Sequence, residues 1–234
     1  MSEKVYAVIP AGGVGSRMRS DIPKQFMDIN DRPMISYVLR AFEESRVDGI
    51  IVAVSDEYRE LLEKIIKEHD ISKFICFVQN GSERVYSVKN GLEKTSDEDI
   101  VLIHDAARPM VTPELINSCI DSVKKYEACI AAVPVKDTIK EVSDGAITDT
   151  PDRSRLFAAQ TPQCFRVKVL RDAYGKWEEE GKIFIPTDDA SLVERYSDVP
   201  VSIIEGNEKN IKVTTPGDIK VAESILKEDD CINM

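Results

Sequence analysis

The sequence predicts an α/β fold: a mostly parallel twisted sheet with helices on both faces, carrying an inserted β-hairpin. Three observations point there. Short, nearly continuous apolar runs alternate with stretches of helical spacing, the pattern of strands buried on both faces. Asp144-Gly145 marks a hairpin turn where that alternation breaks after Pro134. The chemically suggestive residues follow the apolar runs, where ligands sit in open α/β sheets.

The first predicted strand is Val5 to Ile9, and glycines begin where it ends, in Ala11-Gly12-Gly13-Val14-Gly15-Ser16-Arg17-Met18. Glycine lets a backbone turn sharply and approach a ligand. Freed N–H groups then form an anion site, to which Arg17 and Lys24 add full charges. No Gly-Lys-Ser/Thr follows, and Arg17-Met18 breaks the dinucleotide fingerprint. A triphosphate cradle is expected, with a plain glycine turn as the alternative.

Met34 to Phe42 has helical spacing, and Gly49 to Val54 is the second strand. A helix over Glu57 to Glu68 and a strand over Phe74 to Val78 follow, then the loop Asn80-Gly81-Ser82 and a helix over Arg84 to Lys94. The next strand, Ile100 to Ile103, runs into His104-Asp105-Ala106-Ala107-Arg108-Pro109. Asp105 is placed to hold Mg²⁺, which binds one or two carboxylates plus substrate phosphates; a turn aspartate is the alternative. Arg108 offers a planar fork for a second anion, or else faces solvent. Thr112-Pro113 caps a helix to Tyr126, and Ala128 to Val135 is a strand leading to Lys136-Asp137-Thr138.

The hairpin pairs Asp137 to Val142 with Ala146 to Thr150 and projects as an arm over about 137–156, or folds back on its own subunit. Asp152 to Gln163, with Arg153 and Thr161, reads as a loop. Helices are expected at Val167 to Glu180 and Asp188 to Tyr196, the second with Thr187-Asp188-Asp189 as its capped start. A strand spans Val201 to Ile204. On an alternating strand Lys212 would face away from Ile211 and Val213, partly buried and paired with an anion. Thr215-Pro216 caps a last helix to about Lys227, and 228–234 is a frayed tail. The chain, 1–234, reads as one domain with an arm.

A hydrophobic content of 42% and a charged content of 31% are ordinary for a globular protein. No apolar run approaches the ~20 residues that span a bilayer, and Met1-Ser2-Glu3-Lys4 shows no signal pattern. Cytoplasm and no membrane partner are expected. Five cysteines without CxxC spacing and two histidines argue against zinc; Cys76, Cys119 and Cys129 read as core residues. A net charge of −11 argues against nucleic acid. Any polyanionic ligand must therefore meet Arg and Lys gathered locally.

The motifs Ala11-Gly-Gly-Val-Gly-Ser-Arg-Met18, Pro23-Lys-Gln25, His104-Asp-Ala-Ala-Arg-Pro109, Val135-Lys-Asp-Thr138, Thr161-Pro-Gln163, Thr187-Asp-Asp-Ala-Ser191 and Asn210-Ile-Lys-Val-Thr214 resemble the 2-C-methyl-D-erythritol 4-phosphate cytidylyltransferase family. The resemblance runs from Val5 to about Leu226. It implies a Rossmann-like nucleotidyltransferase domain that joins CTP to methylerythritol phosphate, releasing pyrophosphate with Mg²⁺, in non-mevalonate isoprenoid biosynthesis. By resemblance Arg17, Lys24 and Lys212 are catalytic and Asp105 binds the metal. Ala11, Gly12, Gly13, Gly15, Gly81, Ser82 and Ser87 surround the nucleotide. Arg108, Thr138, Arg153, Thr161 and Thr187 bind the sugar-alcohol phosphate, partly across a homodimer formed through the arm. The Gly12-Gly13 form and Ser82 depart from the commoner family pattern. The glycine pair is similar to ribitol-5-phosphate cytidylyltransferases, and a non-catalytic nucleotide-binding domain is the remaining alternative. In-line nucleotidyl transfer needs positioning and charge stabilisation more than a protein nucleophile. The lack of a Ser/His/Asp or Cys/His arrangement agrees with that.

Overall fold

The computed structural model describes residues 3–13 and 22–232, with side chains to residue 228. Its elements are β1 (Val5–Pro10), β2 (Asp28–Ile29), β3 (Arg32–Pro33), α1 (Met34–Glu43), β4 (Gly49–Val54), α2 (Arg59–Glu68), β5 (Phe74–Gln79), α3 (Arg84–Leu92), β6 (Ile100–Ile103), α4 (Pro113–Tyr126) and β7 (Ala128–Pro134). There follow β8 (Glu141–Ser143), β9 (Ala146–Asp149), β10 (Phe157–Arg166), α5 (Val167–Glu179), α6 (Asp189–Tyr196), β11 (Ser202–Glu205) and α7 (Pro216–Ile232). Among the described residues the main sheet has seven strands in the order β11-β7-β10-β6-β1-β4-β5. Every pairing is parallel except those of β10, which runs antiparallel to β6 and β7.

The period of two along each strand sorts the core into two layers. Val5, Ala7 and Ile9 of β1, with Ile50, Val52 and Val54 of β4, pack under α1, α2 and α4, against Phe42, Leu62 and Ile120. Val8, Ile51, Ala53, Val101 and Ile103 face the other way, against Val88 of α3, Leu170 of α5 and Val193 of α6. Burying each of the valines, isoleucines and leucines among them contributes roughly 1.5–3 kcal/mol, which strongly disfavours these runs as surface. Thr112 caps α4 as its sequence indicates, accepting from Leu115 N, with Pro113 at the first helical position. Cys119, Cys129 and Cys164 are buried in the first layer, and Cys76 is half-buried.

Several features differ from the sequence expectations. The stretch read as a loop ends in β10, an internal strand of the sheet; its register shifts between Ala159 and Gln163, which spares Pro162 a ladder hydrogen bond. Asn30 and Asp31 take positive φ and close a small β2–β3 ribbon. The segment at 210–213 joins no ladder and so is not the strand considered, although Lys212, its side chain 40% exposed, is paired with an anion, Asp105. The last helix runs on to Ile232 where a frayed tail was expected. The hairpin is present, with Asp144 and Gly145 both at positive φ as a type I′ turn requires. Its strands are shorter than expected, and residues 137–140 are unpaired coil and bend.

Candidate active site

The loops leaving the carboxyl ends of β1, β5 and β6 enclose a cleft of about 230 Å³. Gly12 and Gly13 leave β1, Gly81 and Ser82 leave β5, and Asp105 follows β6; Lys24, Glu83, Arg84, Ser87 and Lys212 are among the other residues of the wall. Two of these glycines are required by close approach. A Cβ on Gly12 would fall 2.4 Å from Asn80 Cβ, and one on Gly81 would fall 2.2 Å from Tyr86 Cβ. Gly81 N donates to Ser87 Oγ at 2.9 Å, tying the β5 loop to α3. A larger cavity, about 700 Å³, opens between α1, the end of α2 and residues 109–113, and none of the predicted site residues lines it.

Local hydrogen bonds fix the two lysines' segments. Lys24 begins a 3-10 turn, and its Nζ donates to the carbonyl of Val213 at 2.8 Å. Gln25 Nε2 donates to the carbonyl of Ala11, itself buried behind the cleft. The loop after β1 is thus bound to the turn that carries Lys24, and that turn to the segment that carries Lys212.

Charge is concentrated on the cleft floor. Arg84, the first residue of α3, donates from Nε to Asp105 Oδ1 at 2.8 Å and from Nη1 to Asp189 Oδ2 at 2.6 Å. Lys212 Nζ lies 2.7 Å from the other Asp105 oxygen, Oδ2, and Arg108 Nε is 4.0 Å from it. Burial alone would raise the Asp105 carboxyl, but Arg84 and Lys212 outweigh it and hold it well below the usual carboxylate range. Burial raises Asp189 as well, against the opposing pull of Arg84. A chain of net charge −11 has therefore gathered Lys24, Arg84, Arg108 and Lys212 in and behind one cleft.

Behind Asp105 stands a neutral relay. His104 is fully buried, and that burial pushes its imidazole down to about 4. Its Nε2 lies 3.1 Å from the carbonyl of Arg108, which can only accept, so Nε2 carries the proton. Nδ1 must then accept from Thr161 Oγ1 at 2.9 Å, while Thr161 Oγ1 accepts from Asp105 N at 3.2 Å. The backbone of Asp105 is held from the sheet.

Of the predicted site residues, Gly12, Gly13, Lys24, Gly81, Ser82, Ser87, Asp105 and Lys212 meet at this cleft, with Ala11 beneath. Gly15 and Arg17 lie outside the described residues. Arg108 does not face solvent: its Nη1 donates to Asn210 O at 2.7 Å, and its buried Nε has no hydrogen-bond partner. Thr161 is buried, and Thr187 is exposed just ahead of α6, where Asp188 forms the cap by accepting from Ser191 N. Thr138 and Arg153 are exposed at the feet of the arm, away from the cleft walls; Arg153 donates to the carbonyl of Lys136. Arg84 and Asp189 are the residues that reading the sequence missed. The faint signal was Thr187-Asp188-Asp189 itself, which holds one carboxylate more than a helix cap needs.

A family model described as 2-C-methyl-D-erythritol 4-phosphate cytidylyltransferase matches residues 5–228. The protein of that name from Lachnoclostridium phytofermentans is 45% identical over 228 residues, covering 97% of each chain. The Bacillus cereus protein of the same name is 44% identical over 220 residues, 94% of this chain and 96% of the other. The crystal structure of 4-diphosphocytidyl-2C-methyl-D-erythritol synthase from Anaerococcus prevotii superposes with a TM-score of 0.85 at 29% identity, covering 96% of both chains. The Thermus thermophilus 2-C-methyl-D-erythritol 4-phosphate cytidylyltransferase gives 0.76 at 27% identity, covering 97% of this chain and all of that one.

Proposed function

The chain belongs to the 2-C-methyl-D-erythritol 4-phosphate cytidylyltransferase family, and on that premise we propose how its own residues carry out the family's reaction. The enzyme joins CTP and 2-C-methyl-D-erythritol 4-phosphate to give 4-diphosphocytidyl-2-C-methyl-D-erythritol and pyrophosphate, a step of non-mevalonate isoprenoid biosynthesis. A phosphate oxygen of the sugar alcohol attacks the α-phosphorus of CTP, and the bond from that phosphorus to the bridging oxygen breaks. The electron pair leaves with pyrophosphate. The nucleophile is already an oxyanion, so no protein base is needed, and neutral buried His104 is free to serve as a support.

The observation that carries the assignment of roles is the junction of Asp105, Lys212 and Lys24 with the glycine wall in one cleft. Gly12, Gly13, Gly81, Ser82 and Ser87 bound the nucleoside end, where their small side chains leave room for a base. Lys24, Lys212 and Arg17 offset the charge that develops on the phosphates, with Gly15 in the same loop. Donors aimed at such charge act at full strength in a site that excludes water. Arg108 is assigned to the sugar-phosphate end; its buried Nε–H, which has no hydrogen-bond partner, lies 4.0 Å from Asp105 Oδ2. Thr161 and Thr187 flank that end, and Thr138 and Arg153 reach it from a second subunit through the arm of a homodimer.

Asp105 suits a divalent cation such as Mg²⁺. Its carboxylate is ionised, and Oδ2 faces the 40% exposed Lys212, a partner that can leave. One carboxylate with substrate phosphates is the donor set Mg²⁺ prefers, and the ion would supply further neutralisation of the triphosphate. The dependence on CTP supports a cytoplasmic location; among the described residues no helix is long and apolar enough to cross a membrane.

Release of pyrophosphate from CTP, followed with methylerythritol 4-phosphate and ribitol 5-phosphate side by side, tests the reading. Release is expected with the first and at least an order of magnitude less with the second. Preference for ribitol phosphate, or no release with either, would overturn it.

A further inference from the structure

The two oxygens of Asp105 are held in very different ways. Oδ2 pairs with Lys212, which comes from a segment outside the sheet and carries its charge on a flexible four-carbon stem. Oδ1 is held by Arg84, and Arg84 is itself held: its Nη1 is bonded to Asp189 at 2.6 Å, and the Asp189 side chain is only 1% exposed. Asp189 is anchored from three sides. It is the first residue of α6, where the helix N-terminus favours an anion. Its backbone N and that of Ala190 donate to Gln163 Oε1 at 2.9 and 3.1 Å, while Gln163 Nε2 donates to the capping Asp188 at 2.7 Å. Tyr174 OH, which donates to Val85 O, stands 3.5 Å from its Oδ1.

Read as a triphosphate lysine, Lys212 serves two anions, the Asp105 carboxylate it pairs with here and the substrate triphosphate. When it turns to the phosphates, Asp105 loses a partner just as its carboxylate is needed for the cation. A carboxylate held by lysine alone would follow it or rotate; one braced on its other oxygen stays. We propose that Arg84, braced by Asp189, is the positioning residue that keeps the Asp105 carboxylate in place while Lys212 leaves it for the substrate phosphates. The proposal rests on the reading of Asp105 as the metal carboxylate and Lys212 as a triphosphate lysine. The planar fork matters, because two N–H groups in fixed directions hold two carboxylates in a fixed relation.

The test measures binding as well as turnover. Mn²⁺ binding in the presence of CTP, without the second substrate, is followed by paramagnetic resonance, and the Mg²⁺ activation curve is measured alongside. Removing a group that orients a metal ligand typically costs 10–100-fold in metal affinity or activity. Asp189→Asn is therefore expected to weaken Mn²⁺ binding at least tenfold and to shift half-activation by Mg²⁺ equally, while KM for the sugar phosphate changes little. In the Asp105→Asn background the same Asp189→Asn change should cost almost nothing, because its effect passes through Asp105. Should Asp189→Asn fail to fold, Arg84→Lys keeps the charge but loses the fork, and the same loss of Mn²⁺ binding is expected. Equal losses in both backgrounds would make the pair a plain tie between α3 and α6, and unaltered Mn²⁺ binding would likewise overturn the proposal. If Asp105→Asn itself left Mn²⁺ binding and the Mg²⁺ curve unchanged, the metal assignment would fall first, and the brace with it.

Discussion

The cleft floor and the arm are built on opposite terms. Asp105 and Asp189 are buried carboxylates, each bonded to Arg84 and each held again through backbone by a side chain of β10. In the arm every residue from Asp137 to Thr150 is exposed, including the apolar Ile139, Val142 and Ile147. The floor gets its geometry from contacts within the chain, because a buried charge is tolerated only when it is paired and hydrogen-bonded. The arm gets only its turn from within the chain, since a two-stranded ribbon is at best marginally stable alone. The floor should therefore respond to single-atom changes inside one subunit, and the arm should answer to a partner.

The largest effect is expected on the cleft side. Lys24→Ala removes an ammonium whose turn is tied to both Ala11 and Val213. Turnover at saturating CTP should fall by ~10²–10³, the usual loss of one donor aimed at developing charge. Steady-state kinetics with CTP varied against fixed methylerythritol phosphate gives the number. A change confined to the KM for CTP would mean that Lys24 grips substrate and transition state alike.

Next in size is the pH response of the floor. In the unfolded chain His104 titrates near 6.5, but burial lowers it to about 4 in the fold. The unfolded chain then binds the extra proton between those values, so stability falls as pH drops from about 6.5 towards 4. The difference of some 2.5 pH units amounts to about 3 kcal/mol. Asp105, whose carboxyl is lowered, withdraws its contribution only further down, as pH falls through the carboxylate range. His104→Asn should therefore unfold more easily at pH 7.5 yet lose much less between pH 7.5 and 4.5 than the unaltered protein. Denaturant titrations at the two pH values measure it; equal pH losses in both proteins would remove His104 from the account.

What could be read in advance follows the same division. Strands β1, β4 and β6 were legible because each is an unbroken apolar run that serves only packing. Strand β10 was not, because Gln160, Thr161 and Gln163 are buried to hold other loops and so erase the apolar pattern. Lys24, Asp105 and Lys212 stood out as charges beside glycines or strand ends. Arg84 and Asp189 each open a helix, where a charge is unremarkable, and 105 positions separate them. The arm was legible from Asp144-Gly145 alone, since turn chemistry is local.

The smallest expected effect is the one that joins the two regions. Arg153 stands at the foot of the arm, exposed and outside the cleft walls of its own subunit. If the arm crosses a two-fold interface, Arg153 serves the neighbour's cleft, and each site draws Lys24 from one chain and Arg153 from the other. Lys24→Ala and Arg153→Ala proteins, each nearly inactive alone, are then mixed in equal amounts and allowed to exchange subunits. Random re-pairing makes half the dimers mixed, and each mixed dimer holds one site with both defects and one with neither. About a quarter of all sites should thus be intact, and activity should climb towards a quarter of that of the unaltered enzyme. Mass spectrometry of the intact dimers confirms the exchange. Full exchange with no recovery would put Arg153 in the cleft of its own subunit, and the arm would then have to be folded back on the chain that carries it.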